Sequence, residues 1–532
     1  MATTFKGNDK ALFGIVLAVI TFWLFAQTTL NIGPVIAEDI NTPLSVMNIA
    51  ISLSALFSGM FIVVAGGFAD RLGRVKVAIL GNLLNIVGSL LVGLAFGGGL
   101  ATVMLITGRI LQGLSAACIM PSTMALLKTY WEGAERQRAV SMWSIGSWGG
   151  SGLAALFGGF MASTMFGWRS VFILGALISV VSIILLRAIP EDAPAAASQA
   201  KTDVAGIVTL ALTVLSLLIV VTQGSAIGWT SAITWVLVGV FVISLTEFIR
   251  TEQKTAAPLV DFSLFSNPVF TGATVSNLLI NATAGLIPVS LWVLQGAGGM
   301  SAAKSGYLTI GYAVFIIGFI RVGEKLLRTF GSKKPMIWGA LIVIVAIALL
   351  MFTNVMQGTY VILAIIAYCL FGLGLAFYAT PSTDAALSAL PDDKAGSGSG
   401  VYKMASSLGA AFGAAIPTSI FTALQTSGSE FLGAAVVFTG QQDNVAVRQA
   451  AMIAMGSILI MALIALSSII LLIPASSGKR IVEAQADEHP GAARIAEIEE
   501  QLEALQSRAQ TLEDQIADTK HRLEEAKREY SS

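Results

Sequence analysis

Residues 66–76 read GGFADRLGRVK and place one acid and three bases between two long apolar runs, 46–68 and 75–96. Each run has about the 20 residues that an α-helix needs to cross a bilayer. A short basic loop between two such runs is typical of the cytoplasmic side of a membrane protein. The stretch therefore predicts a helical hairpin in the membrane, with its turn in the cytoplasm.

The composition of the whole chain is that of a membrane protein. Of its 532 residues, 55% are hydrophobic and 12% are charged, against about 25% charged in a soluble domain. The mean hydropathy is +0.80. We predict an all-α polytopic protein with fourteen membrane helices, numbered in order, at 11–34, 46–68, 75–96, 101–126, 138–162, 167–187, 203–222, 229–249, 268–295, 303–324, 335–353, 358–383, 397–424 and 450–474.

Charged residues are distributed unequally between the two sides of these spans. One set of loops carries most of the lysines and arginines, and the opposite set holds little more than Arg169, Lys304 and Arg448. Loops rich in these residues stay in the cytoplasm, so we expect both termini there. The formal net charge of +0 gives no indication of a nucleic-acid partner.

Two further observations exclude classes of function. Cys118 and Cys369 both lie within spans, which predicts no disulfide framework. The sequence has no phosphate-binding loop of the type GxxxxGKS or GxxxxGKT, so direct ATP drive is not expected. We expect a protein that is not an enzyme and that uses no cofactor and no metal.

Short strings recur between the two ends of the chain. MPSTMALL in helix 4 matches TPSTDAAL in helix 12, which aligns Pro121 with Pro381. Twenty-eight residues beyond each proline stands a glycine, Gly149 and Gly409, in a helix rich in small residues. QTTLNIGPV in helix 1 matches NATAGLIPV in helix 9 at a similar offset. Two six-helix bundles therefore flank an inserted pair, helices 7 and 8, and such repeats are typical of secondary transporters.

The repeat also predicts a division of the chain. It comprises a cytoplasmic N-terminus (1–10), an N-terminal six-helix bundle (11–187), helices 7 and 8 with their flanking loops (188–267), a C-terminal six-helix bundle (268–474), a linker (475–490) and a cytoplasmic coiled coil (491–532).

Several stretches resemble one known family. GGFADRLGRVK resembles the signature G-x-x-x-D-R-x-G-R-x-K of the major facilitator superfamily, in the expected loop after helix 2. GRILQG resembles its helix 4 motif R-x-x-Q-G, and TLNIGPVIAEDI and GWRSVFIL are similar to stretches of its fourteen-helix drug:proton antiporter branch. The nearest resemblance is to quinolone and multidrug efflux pumps of Gram-positive bacteria, over residues 5–475.

This resemblance implies a major facilitator fold in the bacterial cytoplasmic (inner) membrane, with helices 1 and 4 side by side at a central cavity. Two positions depart from the pattern of the branch. Gln27 stands where helix 1 usually has an aspartate, and Ala154 and Ala155 stand where the helix 5 antiporter motif has Gly-Pro.

The signature loop has a physical interpretation as a gate. A glycine at position 66 lets helix 2 pack closely on a neighbour across the two halves. Asp70 is placed to cap the positive N-terminus of helix 13, near Gly398. For the bases, orientation by positive charge alone is the alternative. The expected gating residues are Gly66, Asp70, Arg71, Gly73, Arg74 and Lys76.

Arg109 lies in the middle of helix 4, and a charge at the centre of a membrane helix costs about 2.5–3.5 kcal/mol even on lenient scales. At about 1.5 Å per residue, Arg109 lies ~12 Å below the outer end of helix 4, and Gln27 lies ~10 Å below that of helix 1. We expect Arg109 to face the substrate cavity beside Gln27, with Asn31 and Gln112 as polar neighbours. A structural arginine bonded to backbone carbonyls is the alternative.

Aromatic and amide side chains supply candidate walls for this cavity, because ligand sites are mostly apolar with a few polar groups. Packing or lipid contact is the alternative for each aromatic. Asn281 is the repeat mate of Gln27. These further candidates for substrate binding are Trp23, Trp143, Asn281 and Tyr378.

Few acids are available to carry a proton. Glu324 ends helix 10, Asp384 ends helix 12, and both lie near the cytoplasmic face, as does Lys403 in helix 13. We consider Glu324 and Asp384 as candidates for proton coupling, with a solvated inner rim as the alternative.

The C-terminal tail carries apolar residues at alternating spacings of three and four from Ile495 to Tyr530. This pattern predicts a coiled coil that forms a modest parallel homodimer, and a lone solvated helix is the alternative.

The sequence therefore predicts a secondary active exporter that moves amphiphilic drugs (quinolone-like or cationic compounds) by proton-coupled antiport and alternating access, with drugs, protons and membrane lipid as partners. An exporter or uniporter of an endogenous, anionic metabolite is the first alternative, favoured by an unneutralised Arg109. A membrane scaffold or sensor that signals through the tail is the second.

Overall fold

The computed structural model describes residues 7–131, 139, 142–143, 145–191, 203–255, 258, 260–390, 395–427, 444–474 and 527. Fourteen helices are labelled here in chain order: α1 Asp9–Asp39, α2 Leu44–Leu72, α3 Arg74–Gly93, α4 Gly99–Tyr130, α5 Gly150–Ser163, α6 Arg169–Leu186, α7 Val204–Ile227, α8 Ala232–Lys254, α9 Pro268–Gly296, α10 Ala302–Phe330, α11 Lys333–Met351, α12 Gln357–Ser388, α13 Ala395–Ser427 and α14 Val445–Leu472.

The described residues form an all-helical protein, as the sequence predicts. Thirteen of the described helices are long and apolar enough to cross a membrane. The remaining one, α5, is a shorter apolar helix that follows a π-helical turn at Ile145–Gly149. Part of the predicted span 138–162 lies outside the described residues, so the count of fourteen spans stays a prediction.

The chain divides into two compact units, 1–477 and 478–532. All fourteen helices belong to the first unit. In the second, Lys527 is the single described residue and is helical. The predicted coiled coil and its homodimer lie outside the described residues.

The first helix of each half is irregular near the middle of the membrane. In α1, a π-helical turn at Thr21–Phe25 runs into a 3₁₀ turn at Ala26–Thr28. In α9, a 3₁₀ turn at Thr283–Gly285 interrupts the helix. Such turns leave backbone carbonyls outside the regular i→i+4 pattern. The interruptions lie close to the repeat-matched strings, although the sequence predicts uninterrupted helices there.

The two halves repeat their helix contacts. Gly150 of α5 lies against the backbone of Leu24 in α1, and Gly409 of α13 lies against the backbone of Leu278 in α9. Small residues permit such close approach of membrane helices. The fifth helix of each half therefore packs on the first, as the predicted repeat requires.

The inserted pair α7 and α8 packs together at the side of this assembly. The Oγ1 of Thr213 in α7 bonds the Oγ of Ser244 in α8 at 3.0 Å. Gln223 of α7 donates to the carbonyl of Ser45 in α2 at 3.0 Å, and α7 also contacts α13. We call the side at which α1 ends, at Asp39, the outer side, and the opposite side the inner side.

Candidate functional site

Arg109 lies in the core of the N-terminal half and is fully buried. Its Nε donates to the carbonyl of Ala50 at 3.0 Å, and Nη2 donates to the carbonyl of Ile51 at 3.3 Å and to Ser54 Oγ at 2.6 Å. These three acceptors belong to α2. A guanidinium has five N–H donors, and α2 accepts from three of them.

The remaining two donors of Arg109 belong to Nη1. That atom donates to the carbonyl of Ala26 and to Gln112 Oε1, each at 2.7 Å. Ala26 belongs to the 3₁₀ turn of α1, and its carbonyl also accepts from Thr29 Oγ1 at 3.1 Å. All five donors therefore have partners, and none of these partners is the side chain of Gln27. The expectation of a cation facing a cavity is wrong because Arg109 is fully buried, and the alternative of a structural arginine describes the geometry.

Gln112 extends the polar contacts of Arg109 into two further helices. It donates from Nε2 to Ser89 Oγ of α3 at 3.1 Å. One turn away in α3, Asn85 donates to Ser179 Oγ of α6 at 2.9 Å. Each of these side chains is buried. The Arg109 network, as we call this set, joins α1, α2, α3, α4 and α6.

Asn31 also differs from its predicted place beside Arg109. It is buried on the outer part of α1, where its Nδ2 donates to the carbonyls of Ala155 in α5 at 2.6 Å and Ala302 in α10 at 3.1 Å. Gln295 of α9 donates to Asn31 Oδ1 at 2.8 Å and to Ser305 Oγ of α10 at 3.1 Å. We call these residues the outer latch, since they tie two N-terminal helices to two C-terminal ones.

Aromatic packing closes the same outer region. Trp292 of α9 is buried, lies against Gly33 of α1 and packs on Phe421 of α13 with 6.2 Å between ring centroids. The outer ends of the two halves are therefore in direct contact in this structure.

The other N-terminal candidates are partly accessible. Gln27 and Trp23 are both half-buried, and the Nε1 of Trp23 has no partner among the described residues. Trp143 is half-buried and donates from Nε1 to Thr123 Oγ1 of α4 at 3.0 Å. The role of these residues in substrate binding stays a prediction.

Tyr378 lies in a network of hydroxyl and amide groups in the C-terminal half. Its hydroxyl bonds Ser276 Oγ of α9 at 2.7 Å and accepts from Ser382 Oγ at 3.0 Å. Ser382 also bonds the hydroxyl of Tyr402 in α13 at 2.8 Å. Tyr378 is 2% exposed, so in this structure it is packed inside the half and does not line an open surface.

Asn281 stands beside this tyrosine network, as we call it, on α9. Its Nδ2 donates to the carbonyl and to the Oδ1 of Asn277, at 2.8 and 2.9 Å. Asn277 in turn donates to the carbonyl of Tyr402 and to Ser406 Oγ of α13. Asn281 is half-buried and remains a candidate contact for a substrate.

The signature loop between α2 and α3 packs in a way that the sequence does not predict. Gly66 lies against Pro121 of α4, in its own half, so its expected contact across the halves is wrong. The cross-half positions are Gly59, which meets Ser407 and Leu408 of α13, and Gly400, which meets Val63 of α2.

Glu191, a residue that the sequence analysis does not consider, holds this loop. Its carboxylate accepts from the backbone N–H groups of Val75 and Lys76, both at 3.0 Å. An acid at a helix N-terminus is favourable there because of the helix dipole. Gly73 has φ of 111° and a Cβ there would meet this carboxylate, so a side chain at 73 would break the loop. The PED triplet after helix 6 could have identified Glu191 as a cap.

The remaining signature residues are only partly described. Arg74 donates from Nη1 to Thr129 Oγ1 of α4 at 2.6 Å. The side chains of Asp70 and Arg71 lie outside the described part of the structure, so the expected cap on α13 stays a prediction.

The two candidate acids lie at the inner ends of their helices. Glu324 is exposed and forms an ion pair with Arg328 one turn on. Asp384 is half-buried and accepts from Ser332 Oγ, which precedes α11, at 3.1 Å. Among the described residues, no group of three or more His, Cys, Asp or Glu side chains is placed to hold a metal ion.

Lys403 of α13 is a charged residue that the sequence-based candidates for the binding site do not include. It is exposed although it lies within the apolar span Gly400–Gln425. The part of the chain that the structure describes offers it no hydrogen bond and no ion pair. A lone lysine inside a predicted span is a signal that the sequence already carries.

Comparison with known proteins identifies the family. The sequence model of the Major Facilitator Superfamily matches residues 11–414. The chain is 48% identical over 418 residues to the quinolone resistance protein NorB of Staphylococcus aureus strain MRSA252, covering 79% of this chain and 89% of that protein. To NorB of strain Newman it is 46% identical over 432 residues, covering 81% and 92%.

Solved structures share the fold at low sequence identity. A D-xylose-proton symporter aligns with a TM-score of 0.59 at 15% identity, over 88% of this chain and 98% of that one. A POT family transporter in complex with 5-aminolevulinic acid aligns with a TM-score of 0.60 at 13% identity, over 87% and 96%. The resemblance to quinolone efflux pumps of Gram-positive bacteria is confirmed, and the chain is a multi-pass membrane transporter that belongs to the Major Facilitator Superfamily.

Proposed function

We propose that this transporter exports amphiphilic drugs, quinolones among them, out of the cell. The observation that carries the proposal is the 48% identity to a quinolone resistance protein over 79% of the chain. A likeness of this extent covers both six-helix halves, and a site between the halves depends on both. The partners are then small aromatic drugs, and the protein lies in the bacterial cytoplasmic membrane with both termini inside.

The outer latch supports transport by alternating access. Asn31 and Gln295 tie α1, α5, α9 and α10 together at the outer side. We propose that this arrangement is a state closed to the outside, and that export requires these bonds to break while the inner ends come together. Repeated halves that rock about a central site are the general mechanism of such transporters, and each ligand shifts the balance by its differential affinity.

For the inner side, the proposed gate is the signature loop. The bonds from Val75 and Lys76 to Glu191 fix the start of α3. Asp70, two residues before the end of α2, is the proposed cap of the N-terminus of α13. Asp70→Asn would remove the charge of this cap and leave every span unchanged.

Proton antiport is the proposed energy source, and Asp384 is the better of the two candidate acids. It is half-buried and bonded to Ser332, which lies at the start of the next helix. Glu324 is exposed and already paired with Arg328. A proton on Asp384 would therefore alter a contact between helices, whereas one on Glu324 would alter a solvated ion pair of small energetic weight.

A transport assay in everted membrane vesicles tests the function. Vesicles that contain the protein should accumulate norfloxacin or ethidium when energised, and a protonophore should abolish the accumulation. Uptake that continues after the proton gradient collapses would rule out proton coupling. Vesicles with normal protein levels and no uptake of either drug would overturn drug export itself.

The alternative of an endogenous anionic metabolite loses its first support. It was favoured by an unneutralised Arg109 at the cavity, and the five hydrogen bonds of that residue hold it inside the N-terminal half. A scaffold that signals through the tail predicts that truncation after Lys479 abolishes activity, whereas an exporter should keep its transport and lose only self-association.

A further inference from the structure

Lys403 points toward the interface between the two halves. Ser406, three residues on, accepts a hydrogen bond from Asn277 of α9. Ser407, four residues on, lies against Gly59 of α2. Residues three and four apart share one helix face, so Lys403 lies between the face of α13 that meets α9 and the face that meets α2. These two helices belong to different halves.

A second contact on α13 agrees with this direction. Phe421 is eighteen residues after Lys403, which is five turns at about 3.6 residues per turn, so both occupy the same side of the helix. Phe421 packs on Trp292, which lies against Gly33 of α1. The side of α13 that carries Lys403 therefore faces the opposite half, at a point where nothing described covers it.

The depth of Lys403 excludes a simple place at the lipid headgroups. Asn277 donates to the carbonyl of Tyr402, so Lys403 lies level with Asn277. That residue is nine positions after Pro268, where α9 begins, which is about 13 Å into the membrane at 1.5 Å per residue. Lys403 is exposed there, so the protein leaves part of its side chain uncovered at this depth.

The charge of Lys403 has no counter-charge among the residues that the structure describes. Arg109 uses all five of its donors within its own half, whereas Lys403 has neither a hydrogen bond nor an ion pair to any described residue. An ammonium in a space of low dielectric gains most from an anion, because screening by water is weak there. Ionisable groups inside a membrane are functional-site candidates by default.

We propose that Lys403 binds the carboxylate of an aromatic drug and thereby selects anionic and zwitterionic substrates. The inference rests on the proposed export of drugs and specifies the chemical class that this site accepts. A carboxylate would form a charge-assisted hydrogen bond with the ammonium, and its aromatic body would occupy the space between α2 and α9. A permanently cationic drug would make no use of Lys403.

Binding to the purified transporter in detergent tests the proposal, with three probes. Norfloxacin carries a free carboxylate, its methyl ester has the same ring system without that charge, and ethidium is a cation. Lys403→Ala should weaken norfloxacin binding about 10- to 100-fold, the effect of losing one charge-assisted hydrogen bond. The affinity of Lys403→Ala for the ester should stay within about twofold of the wild-type affinity. Lys403→Arg should retain most of the affinity, because it keeps the charge.

Lys325→Ala is the matched control, since Lys325 is an exposed lysine at the inner end of α10. It should leave all three affinities unchanged. Size-exclusion profiles identify any variant that fails to fold, and Lys403→Gln then serves in place of Lys403→Ala. Equal norfloxacin binding by the wild type and Lys403→Ala would overturn the inference.

If Lys403→Ala weakened the binding of all three probes to the same extent, the inference would also be overturned. Lys403 would then serve the structure or the transport cycle and not the recognition of a carboxylate. Transport in vesicles separates this result from the proposed function. Export of norfloxacin by both proteins leaves drug efflux intact while Lys403 loses its role. Carboxylate-dependent binding without any drug export by the wild type would instead overturn efflux and keep the site, which would then serve another carboxylate.

Discussion

Arg109 of α4 and Cys369 of α12 occupy matching places in the two halves, each twelve residues before the prolines Pro121 and Pro381. In the first half this position is a cation, Arg109, that donates hydrogen bonds to three groups of α2 and to one group each of α1 and α4. In the second half it is a thiol, and a Cβ on Gly311 of α10 would meet its sulfur. The same helix crossing is therefore polar in one half and closely packed in the other.

The C-terminal half places its polar groups elsewhere. Its hydroxyls join α9, α12 and α13 through Ser276, Tyr378, Ser382 and Tyr402. Separating two bonded hydroxyl groups leaves no buried charge behind, whereas an arginine cannot release its charge. We infer that the N-terminal half moves as one rigid body, because removing any partner leaves a buried charge, and that the C-terminal half tolerates rearrangement more easily.

Replacement of Arg109 should give the largest effect on this comparison. Membrane hydrogen bonds contribute about 0.6 kcal/mol each on average, so Arg109→Ala should cost about 3 kcal/mol of stability. The yield of folded protein and the melting temperature in detergent would both fall. Cys369→Ala, the matched change in the other half, should cost about 1 kcal/mol or less. Equal melting temperatures for the two variants would remove the distinction between the halves.

The outer latch should give the next largest effect, because it belongs to neither half alone. Asn31→Ala removes two hydrogen bonds between the halves, or about 1.2 kcal/mol, which would shift the balance toward an open outer side by ~8-fold. The melting temperature should change less than in Arg109→Ala. Thr29→Ala is the control, since the Thr29 hydroxyl bonds the carbonyl of Ala26 in its own helix.

The opening of the latch can be measured with a membrane-impermeant maleimide. The label would react with a cysteine from Val35→Cys, on the outer part of α1, in protein that lacks Cys118 and Cys369. Asn31→Ala should accelerate the labelling and Thr29→Ala should not. An unchanged rate in Asn31→Ala would show that the latch bonds do not hold the outer side closed.

A smaller effect is expected in the tyrosine network. Tyr378→Phe removes two hydroxyl bonds, to Ser276 and Ser382, and should cost about 1 kcal/mol. Tyr307→Phe, at a tyrosine that is 48% exposed, should leave the melting temperature unchanged. If Tyr378→Phe lowered the melting temperature as much as Arg109→Ala does, the C-terminal half would depend on its polar network as strongly as the N-terminal half does.

The helices and their pairing could be predicted from the sequence, because both depend on periodic properties of the chain. Apolar runs locate the spans, and the matched prolines at 121 and 381 lie in two helices of 32 residues each. The direction of a single long side chain does not follow from such periodic properties. Arg109 finds its acceptors at the carbonyls of Ala26, Ala50 and Ile51, and a backbone carbonyl has no sequence signature.

The candidate site was therefore predicted in part. Depth placed Gln27 and Arg109 at one level, but depth does not fix the rotation of a helix about its axis. The π and 3₁₀ turns at 21–28 set that rotation in α1, and nothing in the residue types indicates them. Lys403 was visible as a charge in a span, yet its exposure depends on how α2 and α9 flank α13, which only the packed structure gives.

The smallest expected effect is a coupling energy near zero between Gln27 and Arg109, which the sequence places at a similar depth in the membrane. Gln27 accepts nothing from Arg109, whose Nη1 is bonded to Gln112 instead. In a double-mutant cycle, Gln27→Leu and Arg109→Lys should add to within about 0.5 kcal/mol of unfolding free energy, as for residues without a shared bond. Gln112→Leu with Arg109→Lys should exceed that coupling, because a lysine cannot reproduce the geometry of the guanidinium. Both cycles use the same melting assay and the same Arg109→Lys variant, so they differ only in the glutamine. If the Gln27 cycle gave the larger coupling, the guanidinium would have to leave the N-terminal core during the transport cycle, and the rigidity inferred for that half would fail.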